Sequence, residues 1–221
     1  LRYEELMRKA KIAAGKTLLY REPPHYITLG KELPAKALDE ILTDHAEVFT
    51  ELKEYYKQTS ESDTTKISFY EDTYSLYNLY RFAHYYEEAY GKYIWLKSGA
   101  SLVIEHTEAM TVIDVNTGSV LKKKKQEDTL FYQINREAAK EIARQLRLRN
   151  ISGIIMIDFI NMKDTAQKEK LLSLLDSECK KDRVHCNVID MTALNLVEMT
   201  RSKVRKPLHE QIRSCMKNNR S

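Results

Sequence analysis

The chain reads as an α/β protein, and three observations predict it. Residues 110–116 and 154–160 are short apolar runs rich in β-branched side chains, the composition of buried strands. Between them, Leu130, Ile134, Ala138, Ile142 and Leu146 recur every four residues, which is a helix with one apolar stripe. A further helix over 164–181 and a strand over 184–189 then continue the strand–helix–strand alternation of a layered sheet.

Taken in order, residues 1–14 form a helix, with Leu1, Leu6, Met7 and Ala10 at helical spacing. Residues 16–21 suit a short strand that Pro23 and Pro24 end. A helical segment is expected over 34–57, interrupted near Thr43 and Asp44, then a polar turn over 60–65 and a strand over 67–70. Residues 73–89 read as an aromatic helix bearing Tyr74, Tyr77, Tyr80, Phe82, Tyr85 and Tyr86, with Tyr90 just beyond. Such rings either stack on bases or pack in a core or on a partner. Packing is favoured, because Arg81 is the only Lys or Arg between Thr73 and Gly91. A strand over 93–96 precedes the turn Lys97-Ser98-Gly99, the expected subdomain boundary. Residues 101–105 and 110–116 make a hairpin, and 117–128 a loop holding Lys122, Lys123, Lys124 and Lys125. A strand over 195–200 and a helix over 207–216 complete the chain.

The composition bounds the function. With 221 residues and 43% apolar content, the chain can bury a substantial core. No apolar run is long enough to span a bilayer, and the start lacks a signal-peptide pattern, so a cytoplasmic protein is expected. It opens on Leu rather than Met, which reads as a trimmed or partial chain. Residues 1–98 carry 14 Lys/Arg against 16 Asp/Glu, whereas residues 99–221 carry 22 against 16. The positive half suits a polyanion such as RNA, and equally an ordinary solvated basic surface. Three cysteines, Cys179, Cys186 and Cys215, make no disulfide framework and fit a reducing compartment. The spacing of Cys179, His185 and Cys186 matches no usual zinc pattern, so Cys179 is expected to face the core from a helix.

The candidate chemistry lies in the two apolar runs. Each holds one aspartate near its end, Asp114 and Asp158, and a carboxylate in such a strand is costly unless paired, protonated or bound to a metal. We read the two as a shared metal site, the alternative being a structural pair, which is the commoner fate of two strand aspartates; oxygen donors of this kind suit a hard cation that completes its shell with water and phosphate. A metal there activates water and offsets charge at a scissile phosphate. No glycine-rich phosphate loop is present, which argues against a phosphotransferase.

Three ordered segments resemble the catalytic core of the ribonuclease E/G family: Glu-Ala-Met-Thr-Val-Ile-Asp-Val-Asn-Thr-Gly from Glu108, the helix from Asn135 to Asn150, and Ile-Ile-Met-Ile-Asp-Phe-Ile-Asn-Met ending at Met162. Leu196 to Arg201 extends the likeness. The resemblance implies a magnesium-dependent endoribonuclease of single-stranded RNA that leaves 5′-phosphate ends. It also implies that Asp114 and Asp158 hold the metal and that Asn116 orients one of them. The implied folds are a ribonuclease-H-like support over 1–97 and a deoxyribonuclease-I-like catalytic subdomain over 98–206, followed by a C-terminal helix or tail over 207–221.

The chain also departs from the family. The glycine-rich acidic stretch after the Asp-x-Asn strand is replaced by the lysine loop, and Thr192-Ala193-Leu194-Asn195 stands where an Arg-x-Gly is usual. The oligonucleotide-binding barrel, most of the 5′-phosphate sensor and the Cys-x-x-Cys zinc link have no counterpart, so any homo-oligomer forms without a zinc link. Arg144, Arg147, Arg149, Arg201, Lys203 and Arg205 are candidate RNA contacts beside the lysine loop, and Arg201, just past its strand, is favoured. The alternative function is an RNA-binding or scaffold homologue with weak or no cleavage.

Overall fold

The computed structural model describes residues 2–21, 23–27, 38–57, 66–118 and 127–218. The α/β class is borne out, in two compact units spanning 1–80 and 81–221. The lysine loop 122–125 and the expected turn 60–65 lie outside the described residues.

The first unit opens with α1 (Arg2–Ile12). The strand expected over 16–21 does not form. Lys16 turns the chain at φ 64, and the Thr17 N–H closes the turn on the Ala14 carbonyl at 3.2 Å. A small parallel piece follows: β1 (Glu40–Thr43), α2 (Ala46–Lys57) and β2 (Lys66–Phe69), with Ile41 opposite Ile67. Leu52 and Tyr56 of α2 are buried with Ile27, against Ile41, Val48 and Ile67. Of the helix expected over 34–57, residues 34–37 lie outside the described residues, 40–43 are strand because Ile41 and its neighbours gain a ladder partner in β2, and 46–57 are helical. The interruption at Thr43-Asp44 is where the strand ends.

The aromatic helix expected over 73–89 is two helices, α3 (Leu76–Leu79) and α4 (Phe82–Tyr90). Arg81 between them sits at φ 51, left-handed backbone through which a right-handed helix cannot run. Tyr74, Tyr77, Tyr80, Tyr85, Tyr86 and Tyr90 are all exposed, which corrects the core half of the packing expectation and leaves these rings on the surface, where a partner could cover them.

The second unit is built on a six-stranded sheet. Its strands are β3 (Tyr93–Trp95), β4 (Ser101–His106), β5 (Met110–Asn116), β6 (Gly153–Asp158), β7 (Cys186–Met191) and β8 (Leu196–Arg201), in the order β3-β4-β5-β6-β8-β7. Only β5 and β6 run parallel, joined through α5 (Glu127–Leu148). The helices α6 (Thr165–Cys179) and α7 (Leu208–Asn218) complete the unit. The boundary expected at residue 97 falls inside a hairpin, since Tyr93–Trp95 pairs with Ser101–Val103. The compact units divide at 80/81 instead.

Alternation along the strands puts the helices on one face only. Leu102, Ile104, Ile113, Val115, Ile155, Ile157, Val197 and Met199 are buried in one cluster with Ile134, Ala138, Ile142 and Leu146 of α5 and with Leu171, Leu175 and Cys179 of α6. Cys179 thus faces the core from a helix, as its sequence setting predicts. Truncating a fully buried side chain such as Ile142 would cost about 2–5 kcal/mol. The intervening residues, among them Val103, Val112, Asp114, Met156, Asp158, Leu196 and Glu198, are exposed or half-buried and form the opposite face.

Candidate active site

The parallel pairing of β5 with β6 sets Asp114 directly opposite Asp158. Register partners share a face, and neighbouring strands lie about 4.8 Å apart, so the two carboxyl groups project side by side from the open face. Ile113 and Ile157, one residue earlier on each strand, are fully buried beneath them. A one-residue slip of either strand would send its carboxylate into the core, so burial of the isoleucines fixes the pairing of the acids.

Burial and the neighbouring Asp114 charge push the Asp158 carboxyl above its ordinary range. A cation held between the two would relieve that repulsion. The Asn116 amide donates to Asp114 Oδ2 at 2.7 Å, which fixes one carboxylate and leaves the Asn116 carbonyl oxygen at the same edge. Among the described residues no group of three or more His, Cys, Asp or Glu side chains could hold a metal. Two carboxylates and an amide oxygen form a hard, oxygen-only donor set that fits Mg2+ and leaves room for water and phosphate.

Three supports for this edge carried little signal in the sequence. Asn135 of α5 is fully buried and bonds twice to Ile160, its amide donating to the Ile160 carbonyl at 2.8 Å and its oxygen accepting the Ile160 N–H at 3.0 Å. That clamp fixes the chain where it leaves Asp158. A buried polar residue beside an apolar stripe is the one sequence feature that could have indicated it. Glu137 accepts the N–H groups of Lys97 and Ser98 at 2.7 and 3.2 Å, anchoring the turn before β4. Gly118 adopts φ +57, and a Cβ there would lie 2.7 Å from the Gly99 carbonyl oxygen, so only glycine lets the segment after Asn116 close on that turn.

The expected RNA-contacting arginines lie elsewhere. Arg201 pairs with Gly153, at the opposite end of β6 from Asp158 and about 16 Å away at ~3.3 Å per residue. Its side chain is buried, with Nε on Asp182 Oδ2 and Nη1 on Asn150 Oδ1 and the Ile151 carbonyl, each at 2.9 Å. The reading of Arg201 as an RNA contact is corrected: its fork is spent on internal acceptors. Arg149 is likewise buried, on Gln145 and the Glu88 carbonyl. Arg144 pairs with Glu88 and Glu141, and Arg147 reaches the Glu178 carbonyl at 3.4 Å. Arg144 and Arg147 sit in the last turns of α5, about 14 Å or more beyond Asn135 at ~1.5 Å per residue. Lys203 is exposed in the segment after β8, at that same far end. Among the described residues, one cation near the acidic end is Lys168, whose ammonium donates to Asn195 Oδ1 at 2.6 Å, next to the Leu196 that pairs with Asp158.

A cavity of about 440 Å³ also lies at the far end, lined by Lys92, Glu105, His106, Arg149 and His209 among others. The two imidazoles stack there with ring centres 3.9 Å apart. Burial, then His209 and Arg149 beside it, lower His106 to about 4 against the opposing pull of Glu210.

Comparison with known proteins agrees with the motifs. The model of the ribonuclease E/G family matches residues 1–204. Ribonuclease G of Haemophilus influenzae is 37% identical over 203 residues, which is 92% of this chain and 41% of that protein. Ribonuclease G of Escherichia coli is 34% identical over 206 residues, 93% of this chain and 42% of that protein. Ribonuclease E of Nostoc is 30% identical over 211 residues, 94% of this chain and 31% of that protein. The chain spans less than half the length of each of these three relatives.

Proposed function

Because this chain belongs to the ribonuclease E/G family, we propose that it carries the catalytic part of a magnesium-dependent endoribonuclease that cleaves single-stranded RNA and leaves 5′-phosphate ends. The observation that carries the proposal is the in-register pairing of Asp114 with Asp158 on the open face, with Asn116 fixing the first. Bound there, Mg2+ supplies an activated water and neutralises charge building on the phosphate. The chain's own groups then do the positioning. Asp114 and Asp158 provide the anionic seat, and the Asn116 amide holds Asp114 in one rotamer. The Asn135 clamp on Ile160 keeps the two strand ends in register. Lys168 of α6, its ammonium on Asn195 just before β8, is a positive charge that a phosphate flanking the scissile bond would meet.

On the same reading, the unit over 1–80 is the ribonuclease-H-like support and residues 81–206 the deoxyribonuclease-I-like catalytic layer, the boundary moving from 97 because β3 belongs to the six-stranded sheet. The parallel strand–helix–strand piece and the one-sided six-stranded sheet support that assignment. Action in the cytoplasm and a homo-oligomer without a zinc link belong to the proposal too. No described helix is long and apolar enough to cross a membrane.

A quenched single-stranded RNA reporter, assayed with magnesium and with chelator, tests the reaction. Metal-dependent cleavage by the wild-type chain that disappears in Asp114→Asn is expected. RNA binding without metal-dependent cleavage at high protein concentration would instead favour the scaffold reading, consistent with the distance of Arg144, Arg147 and Arg201 from the acids.

A further inference from the structure

The open face carries a second feature in line with the acids. Tyr93 pairs with Val103, Val103 with Asp114, and Asp114 with Asp158, so these four residues form one row across four strands. Trp95, Ser101 and Asn116 form the next row. Tyr93 and Trp95 therefore share the face of the carboxylates, two strands and about 10 Å from Asp114. Both rings stand in solvent, 60% and 73% exposed; exposed tyrosines recur in this chain, but a tryptophan is highly buried on average, so Trp95 is the unusual one. Between ridge and acids, β4 contributes buried Ser101 and half-buried Val103, both short side chains.

We propose that Tyr93 and Trp95 are a stacking platform for bases of single-stranded RNA flanking the bond cleaved at Asp114 and Asp158; the assignment rests on the endoribonuclease reading. A base offers a π-face whatever its identity, so two exposed rings beside a phosphate-cleaving site can hold a strand without reading its sequence. Exposed Lys97 in the adjoining turn adds positive charge at the same corner for the backbone, whereas Lys92, 5.8 Å from the Tyr93 ring centre, is paired with Glu105. An apolar protein partner fits this face less well. It would have to strip water from Asp114, Asp158 and Glu198, whereas a metal-bearing RNA strand makes use of the acidic pair.

Trp95 is the only tryptophan of the chain, so its emission reports this site alone. Titration with a short single-stranded oligoadenylate in chelator should quench it saturably, and equally in Asp158→Asn, which binds without cutting. Trp95→Ala should raise KM roughly five- to a hundredfold with kcat nearly unchanged, and Trp95→Phe should recover most of the loss. An abasic nucleotide beside the cleaved bond should weaken binding to wild type but not to Trp95→Ala. Unchanged emission while labelled RNA saturates the protein, or a normal KM for Trp95→Ala, would overturn the platform. Emission that shifts with protein concentration alone, matched by sedimentation, would make the face a contact between copies and also overturn it. Intact quenching with no magnesium-dependent cleavage would uphold the platform and remove the nuclease.

Discussion

The two ends of the six-stranded sheet use charge in opposite ways. At the end marked by Arg201, three arginines have internal partners: Arg201 with Asp182, Arg144 with Glu88 and Glu141, and Arg149 with Gln145 and a main-chain carbonyl. At the end marked by Asp158, two carboxylates are register partners on the open face, and among the described residues the Asn116 amide is what bonds one of them. The first arrangement is what a chain does to hold itself together. The second costs stability unless a cation or a substrate completes it, which is why we propose that end as the place of cleavage.

Exchanging the damage tests the contrast most strongly. Asp158→Asn should lower cleavage about a thousandfold or more, the loss of roughly 4 kcal/mol of transition-state stabilisation, while the thermal midpoint holds or rises as repulsion with Asp114 ends. Arg201→Ala should do the reverse. Leaving buried Asp182 unpaired should cost about 3–5 kcal/mol in denaturant melts, with normal RNA affinity in the fraction still folded. Equal loss of activity and stability from both variants would erase the distinction.

Asn135→Ala should give an intermediate result. Removing the clamp leaves the Ile160 main chain unsatisfied at about 1–3 kcal/mol, and a looser Asp158 should depress kcat by about 10- to 100-fold with KM little changed. A pure stability effect would make Asn135 an ordinary buried amide.

Acid should act on the far end first. Unfolded histidine takes a proton near 6.5, whereas His106 in the fold does so only near 4, because of burial and then His209 and Arg149. Between those values the unfolded chain binds more protons, so stability is complete above about pH 6.5 and declines towards pH 4. Burial also lowers His209, with Glu210 opposing and Arg213 assisting, so both rings of the stack contribute in the same direction. His106→Asn should flatten the slope of melting midpoint against pH in that window. The smallest effect is expected at Arg147 and Lys203: alanine there should move stability by no more than about 0.5 kcal/mol and leave cleavage unchanged in moderate salt.

The acidic end was legible because the signal is local. Asp114 and Asp158 each sit inside an apolar strand, and the four-residue stripe of α5 between them implies a parallel crossover. The arginine end was not, since Asp182 lies nineteen residues from Arg201 and nothing nearby marks it as a partner. The early strand β1 was misread because Ile41 and Leu42 follow residues of helical composition and are extended only by pairing with β2. Arg81 hides a helix break, as nothing in its chemistry forces a positive φ. The prominence of Trp95 follows from helices covering one side of the sheet alone, a property of the assembled layer rather than of any short stretch.

The hairpin that joins Tyr93–Trp95 to Ser101–His106 bears on how the protein can be dissected. A shortened version starting at residue 98 would discard the outermost strand and bare the main-chain donors and acceptors of its neighbour along a flat rim. Such a rim recruits other copies, so that fragment should precipitate or form ladders of molecules. A cut at residue 81 keeps the border strand in place and is the one to make.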